Sequence, residues 1–147
     1  MGTFLESIIA RAKQDMKTIV LPEGNDVRTL EAAEKVAADK VANLIVLGNP
    51  DEIAQSGFAL DGVEVVDPAT YEKRDELAQA IYEARKHKGM TPEEALAKLD
   101  DPLYFGVAMV KCGMADGMVS GACHATADVL RPSLQILKTA PGSKLVS

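Results

Sequence analysis

Apolar positions along this chain change their spacing repeatedly, and each change marks a structural element. Phe4, Leu5, Ile8, Ile9, Ala12 and Met16 recur at helical spacing and predict an amphipathic first helix ending near Lys17. TIVLP, from Thr18 to Pro22, is a short apolar run that predicts a buried strand, broken by Pro22, Gly24 and Asn25. Asp26 is placed to cap a helix reaching about Asp39, with Leu30, Ala33 and Ala37 on its inner face. ANLIVLG predicts a second buried strand, closed by Gly48. Asn49-Pro50 then opens a short helix ending by Gly57, with Asp51 and Glu52 at its positive end. VEVVD reads as a third strand. A longer helix is expected from about Thr70 to Lys88, with Leu77, Ile81 and Ala84 or Arg85 on neighbouring turns and Gly89 as its stop. Thr91-Pro92-Glu93-Glu94 has the pattern of a capping box opening a helix to about Leu99. Asp101-Pro102 starts another helix, which Lys111 and Gly113 end. DGMVSG predicts a short strand, and the last helix runs from about Thr126 to Lys138, stopped by Pro141-Gly142. Lys144 to Ser147 reads as the opening of one more strand.

Strand–helix alternation of this kind predicts an α/β fold: three layers, α-β-α, around a mostly parallel sheet. Composition agrees. Apolar residues make up 47% and charged residues 26%, and Phe and Tyr number three each with no Trp, so the interior is built from aliphatic side chains. A length of 147 residues fits one domain with a proper core. The formal net charge of −6 argues against nucleic acid or an anionic membrane as partner, because both reward a basic surface. It leaves room for a small anion held by a local group of Arg and Lys. Two cysteines without metal-ligand spacing, and no secretory leader, place the chain in the cytoplasm. No apolar run approaches the roughly 20 residues that span a bilayer. Ending on the first residues of a core strand, the sequence reads as a fragment.

The candidate chemistry centres on the loop Ser120-Gly121-Ala122-Cys123-His124-Ala125-Thr126. In open α/β sheets ligands bind beyond the carboxyl ends of strands, and the N–H groups at a helix start suit an anion. Gly121 allows close approach of the backbone, while Ser120 and Thr126 offer hydroxyl donors. Thr126 is also a candidate helix cap, and a plain turn followed by a cap explains the pattern equally well. No phosphate-loop motif is present, which argues against nucleoside triphosphate hydrolysis. Arg131, directly before Pro132, is either a solvated helical arginine or a bidentate phosphate ligand, and Pro132 should make the helix irregular. The basic turn Arg85 to Lys88 suits a helix C-terminus, yet it is denser in charge than the dipole alone requires. Cys123 near a helix start could have a lowered pKa, and His124 could act as a base although no local partner orients it. The plain reading of Cys123 is packing, and Cys112 is expected in the core.

The segment DGMVSGACHATADVLRPSLQILKTAPG resembles the signature region of phosphate acetyltransferases and their phosphate butyryltransferase relatives. IVLPEGNDVRTLEAA and YEARKHKGMTPEEA are similar to further blocks of that family, in the same order. The resemblance implies reversible transfer of an acetyl group between CoA and phosphate by direct attack of the CoA thiolate, with no tightly bound cofactor and no metal. CoA, acetyl-CoA, acetyl phosphate and phosphate would be the small-molecule partners, and the full-length enzyme is expected to be a homo-oligomer. Arg85 and Arg131 match family arginines linked to substrate or CoA binding. Thr126 matches a cleft position with small or hydroxyl residues, and its neighbour Ala125 cannot donate. Family members are about twice this length and have two domains. Residues 1–147 would then be the N-terminal α/β domain, lacking the C-terminal return that carries the catalytic aspartate, and inactive alone. Two other functions stay open: a non-catalytic regulatory domain binding acyl-CoA or acyl phosphate, like those fused to malic enzymes, and a phosphate butyryltransferase.

Overall fold

In the computed structural model, which describes residues 3–143, the apolar runs form a four-stranded parallel sheet. Its strands are β1 (Thr18–Leu21), β2 (Asn43–Leu47), β3 (Glu64–Val66) and β4 (Gly117–Met118), in the spatial order β3-β2-β1-β4. Val20 stands opposite Ile45 on one side and Met118 on the other, which fixes the central register. Strand alternation then sorts the side chains between the faces. Val20, Ile45, Leu47 and Val66 join one core, while Leu21, Leu44 and Val46 join a second.

Helices cover both faces, as the strand–helix alternation requires. The second core is closed by α2 (Val27–Asp39) through Leu30 and Ala33 and by α3 (Pro50–Gln55) through Ile53. The first is closed by α4 (Arg74–Arg85), α5 (Pro92–Lys98) and α6 (Pro102–Lys111), with Leu77, Ile81 and Phe105 fully buried. Every residue of α6 from Leu103 to Met109 is buried, so this helix lies at the centre of its layer, as an all-round apolar helix must. The expected N-terminal signals act as caps. Asp26, Asn49, Thr91 and Asp101 each accept a backbone N–H of the following turn, and α3, α5 and α6 each start on proline. This is the three-layer α-β-α arrangement with a parallel sheet.

Several expectations need correction. The first helix, α1 (Phe4–Gln14), stops short of Lys17 and buries none of its residues; Phe4 and Leu5 are 82% and 64% exposed. Its apolar stripe is real but has no inner face to meet among the described residues. The long helix begins at Arg74 and not at Thr70, because Asp67 holds the preceding residues in a turn through the N–H groups of Ala69 and Thr70. After Arg85 the chain tightens into a 3-10 turn, Lys86–Lys88, which Gly89 ends at φ +85°. The final helix, α7 (Thr126–Pro132), is capped at Ala125 with no side-chain bond, so Thr126 is its first residue and not its cap. From Ser133 to Leu137 the winding is π-helical. Pro132 lacks the N–H for a regular turn, and the Ser133 hydroxyl bonds the Val129 carbonyl at 3.1 Å, so the irregularity expected at Pro132 takes this form. Cys112 caps the end of α6 and is exposed, not in the core. The strand expected at Lys144 to Ser147 falls outside the described residues.

One glycine fixes how the exit of β1 meets that of β2. The Gly24 N–H donates to the Leu47 carbonyl at 3.1 Å, and a Cβ at Gly24 would collide with that carbonyl and approach Val46 Cγ1 to 2.8 Å. Gly24→Ala should therefore cost about 1–3 kcal/mol, as overpacking does. A lower urea midpoint with unchanged slope is the expected result, and an unaltered midpoint would remove the close approach as a constraint.

Candidate functional site

The strand order locates the site before any side chain is considered. From β1 the chain steps outward to β2 and β3, then returns to place β4 on the other side of β1. That reversal opens a crevice beyond the carboxyl ends of β1 and β4, the usual ligand position in such sheets. Two loops enter it, one following Leu21 and one following Met118. The Val119 N–H to Val20 carbonyl bond, 3.1 Å, holds the second loop against the first strand.

Glu23 sits between these loops and is 1% exposed. Its Oε1 accepts from Ser120 Oγ at 2.9 Å, the Gly121 N–H at 2.7 Å and the Ala122 N–H at 3.0 Å. Its Oε2 accepts from the Cys123 N–H at 2.8 Å and lies 2.7 Å from His124 Nδ1 and 3.2 Å from Cys123 Sγ. Gly121 reaches this geometry at φ +121°, a conformation that favours glycine. Burial alone would favour the neutral acid. The hydrogen bonds from His124 and from the Cys123 and Ala122 N–H groups outweigh it, and the Glu23 carboxyl is held well below the usual carboxylate range. The anion-friendly loop thus already holds an anion, one supplied by the protein itself.

This carboxylate revises the reading of its neighbours. The Cys123 thiol is not activated by the nearby helix start: burial, followed by the bond to Glu23 and its charge, pushes its pKa up to about 11. A neutral thiol is a poor nucleophile. His124 does have an orienting partner, Glu23, which lies 101 positions away in sequence. With Glu23 ionised, Nδ1 carries the proton in that bond. Arg28 completes the crevice. It forks onto Asp26 at 3.1 and 2.9 Å, donates to the Ala122 carbonyl, and lines a cavity of about 190 Å³ with Leu21, Glu23 and Val119.

A second, cationic cavity of about 270 Å³ is lined by Arg85, Lys88, Lys98 and Gln135. Arg85 Nε is buried and has no hydrogen-bond partner among the described residues. The Lys98 ammonium lies 4.9 Å from the centre of the Tyr104 ring, and the Tyr104 hydroxyl donates to Gln135 Oε1 at 2.8 Å. Burial keeps the Tyr104 phenol above its ordinary pKa, against the pull of the Arg131 and Arg85 charges. Arg131 is 56% exposed and weakly paired with Asp128 at 3.3 Å.

The residues singled out from sequence therefore fall into two groups. Ser120 and Gly121 turn their donors onto Glu23, whereas the charges of Arg85 and Arg131 both act on the Tyr104 phenol. Thr126 is exposed at the start of α7, between Gly121 and Arg131 in sequence. Ten residues from Thr126 to Gln135 link the groups, roughly 14 Å at helical rise. Sequence reasoning passed over Glu23, Lys98, Tyr104 and Gln135. Glu23 had one local signal, an acidic residue between the proline and glycine that end an apolar strand.

Comparison with known proteins gives one consistent answer. The profile described as phosphate acetyl/butaryl transferase matches residues 3–147. The phosphate acetyltransferase of Thermoanaerobacterium thermosaccharolyticum is 52% identical over 99% of this chain and 45% of its own length. That of Bacillus subtilis is 50% identical over 92% of the chain and 43% of its own length. Among solved structures, the EutD phosphotransacetylase from Staphylococcus aureus superposes with a TM-score of 0.87 at 39% identity, covering 96% of this chain and 44% of that one. The chain thus spans less than half the length of the relatives it matches. With its signature blocks, parallel sheet and crevice in agreement, the chain belongs to the phosphate acetyl/butaryl transferase family.

Proposed function

We propose that this chain forms one wall of a site for reversible acetyl transfer between CoA and phosphate: acetyl-CoA and phosphate give acetyl phosphate and CoA. Family membership supports the reaction class, and the observation that carries the substrate reading is the unpartnered, buried Arg85 Nε in a cavity shared with Lys88 and Lys98. Guanidinium and ammonium groups of this kind bind phosphate oxygens with charge-assisted hydrogen bonds. CoA is elongated and carries phosphates far from its thiol. Its phosphates fit the Arg85 cavity, while its thiol end extends along α7, past Arg131, toward Thr126 and the crevice. In the direction that forms acetyl-CoA, CoA gives its thiol proton to solvent and the thiolate attacks the carbonyl of acetyl phosphate. The bond to the phosphate oxygen breaks so that phosphate leaves with that electron pair; the opposite direction reverses these steps. Positioning of two bound reactants and cations around the departing phosphate supply the catalysis, and no tightly bound cofactor is required. We place the whole protein in the cytoplasm as a homo-oligomer acting on small molecules, with neither nucleic acid nor membrane as partner.

The family description covers butyryl as well as acetyl transfer, so acyl length is a second variable. The test is formation of acetyl-CoA from acetyl phosphate and CoA, with butyryl phosphate in competition, by a protein of the relatives' length containing this chain. Acetyl turnover supports the proposal. Preference for butyryl phosphate moves the activity to the butyryl branch, and CoA binding without any turnover supports the regulatory-domain reading. The 147 residues alone are expected to be silent, because they span under half the length of the relatives they match. Robust turnover by them would overturn that expectation.

A further inference from the structure

We infer that Glu23, Cys123 and His124 form a binding site for a thiophilic divalent cation of the zinc class. The three donor atoms lie within 4.8 Å of one another at the mouth of the crevice. Cys123 Sγ is 3.5 Å from His124 Nδ1 and 3.2 Å from Glu23 Oε2, and the His124 to Glu23 separation is 2.7 Å. Zinc bonds of about 2.0–2.3 Å in a tetrahedron space their donors roughly 3.3–3.6 Å apart. The Cys123 to His124 edge lies in that range, the Cys123 to Glu23 edge widens by a few tenths of an ångström, and the third widens by roughly 0.6–0.7 Å when the cation replaces the proton between His124 and Glu23. The mixed set of sulfur, imidazole and carboxylate suits zinc and its neighbours, and it disfavours calcium and magnesium, which take oxygen ligands.

The surroundings are those of a built site. Oε1 of Glu23 is fixed by Ser120 Oγ and the N–H groups of Gly121 and Ala122, and Oε2, which also accepts the Cys123 N–H at 2.8 Å, is turned toward the thiol and the imidazole. Such outer contacts orient a ligating carboxylate before a metal arrives. Solvent reaches the site, since Cys123 is exposed and the His124 side chain is 28% exposed. Binding releases the Cys123 thiol proton to water and moves the imidazole proton of His124 from Nδ1 to Nε2. Three protein ligands leave a fourth position for water or an incoming donor. The ion would tie the exit of β1 to the loop that opens α7, and this site is independent of the acyl-transfer reading.

Cobalt(II) titration of the full, chelator-treated chain, followed by zinc competition, tests the site. The expected result is one equivalent bound, with a thiolate-to-cobalt charge-transfer band and the intense visible bands of a four-coordinate ion. Cys112→Ser should keep the band and Cys123→Ser should lose it. Loss of an outer contact weakens a metal site by about 10–100-fold, so His124→Asn, which removes a direct ligand, should weaken binding by at least that much. Cys123→Ala serves as a second variant, and circular dichroism checks that each variant is folded. A spectrum without a thiolate band, a band that survives in both Cys123 variants, or unchanged affinity in His124→Asn would overturn the inference.

Discussion

Glu23→Ala is expected to lower the free energy of unfolding by about 3–5 kcal/mol, the cost of breaking a buried charged network by removing one partner. The substitution strands the Gly121, Ala122 and Cys123 N–H groups and the Ser120 hydroxyl, all of which now point at one carboxylate. Glu23→Gln should lose less, because its carbonyl oxygen can still accept at Oε1 while its amide nitrogen faces donors at Oε2. The pH dependence separates these cases. Because the folded carboxyl is held below its ordinary pKa of about 4.3, the unfolded chain binds more protons in acid. The contribution of Glu23 is therefore fully present above that value and declines as the pH falls through the window beneath it. Urea melts at neutral pH and near pH 3 should show the wild type losing stability, with a shallower loss in Glu23→Gln. Equal acid losses in both chains would show that Glu23 is not the titrating group.

Arg131→Ala and Arg85→Ala, placed in a protein of the relatives' length, should each reduce kcat/KM roughly 30- to 1,000-fold. That range corresponds to about 2–4 kcal/mol, typical of removing a charge-assisted contact to a bound phosphate. The two should differ in form. Arg85 borders the cavity assigned to a non-reacting phosphate, so its loss should raise the KM for CoA more than it lowers kcat. Loss of Arg131, more exposed and in the last turn of α7, should lower kcat more than it raises KM, as removal of a cation meeting the departing phosphate does. Arg85→Lys should retain part of the affinity but not the geometry of a fork, since the two cations are not interchangeable. Unchanged kinetics in both alanine variants would remove this cationic wall from the site.

How much of this was legible in the sequence follows from the range of the forces involved. The caps at Asp26, Asn49, Thr91 and Asp101 and the stop at Gly89 were readable because each rests on contacts within a few residues. The strands at Thr18 and Asn43 were readable because each is a short apolar run, although their ladder joins distant segments. Alternation of these elements also carried the layer arrangement. The outward stripe of α1 shows the limit: periodicity reveals that a helix has an apolar face, but not what that face meets. Arg85 and Arg131 stood out as residues, yet the action of both charges on Tyr104, and the cavity Arg85 shares with Gln135, depend on how α4, α6 and the π-helical turn pack.

By itself, then, the sequence determined the elements, the parallel three-layer class, the anion-seeking loop and the family resemblance. Only the tertiary structure decided which anion the loop holds. Glu23 and Cys123 are separated by 100 positions, and they meet because β4 returns to the side of β1 away from β2. Ionisation follows from that meeting. The same helix start that would lower a thiol's pKa in isolation faces a buried carboxylate here, so the Cys123 thiol stays protonated. Local spacing specifies which donors a loop can offer, whereas burial and charge from distant segments determine what those donors bind.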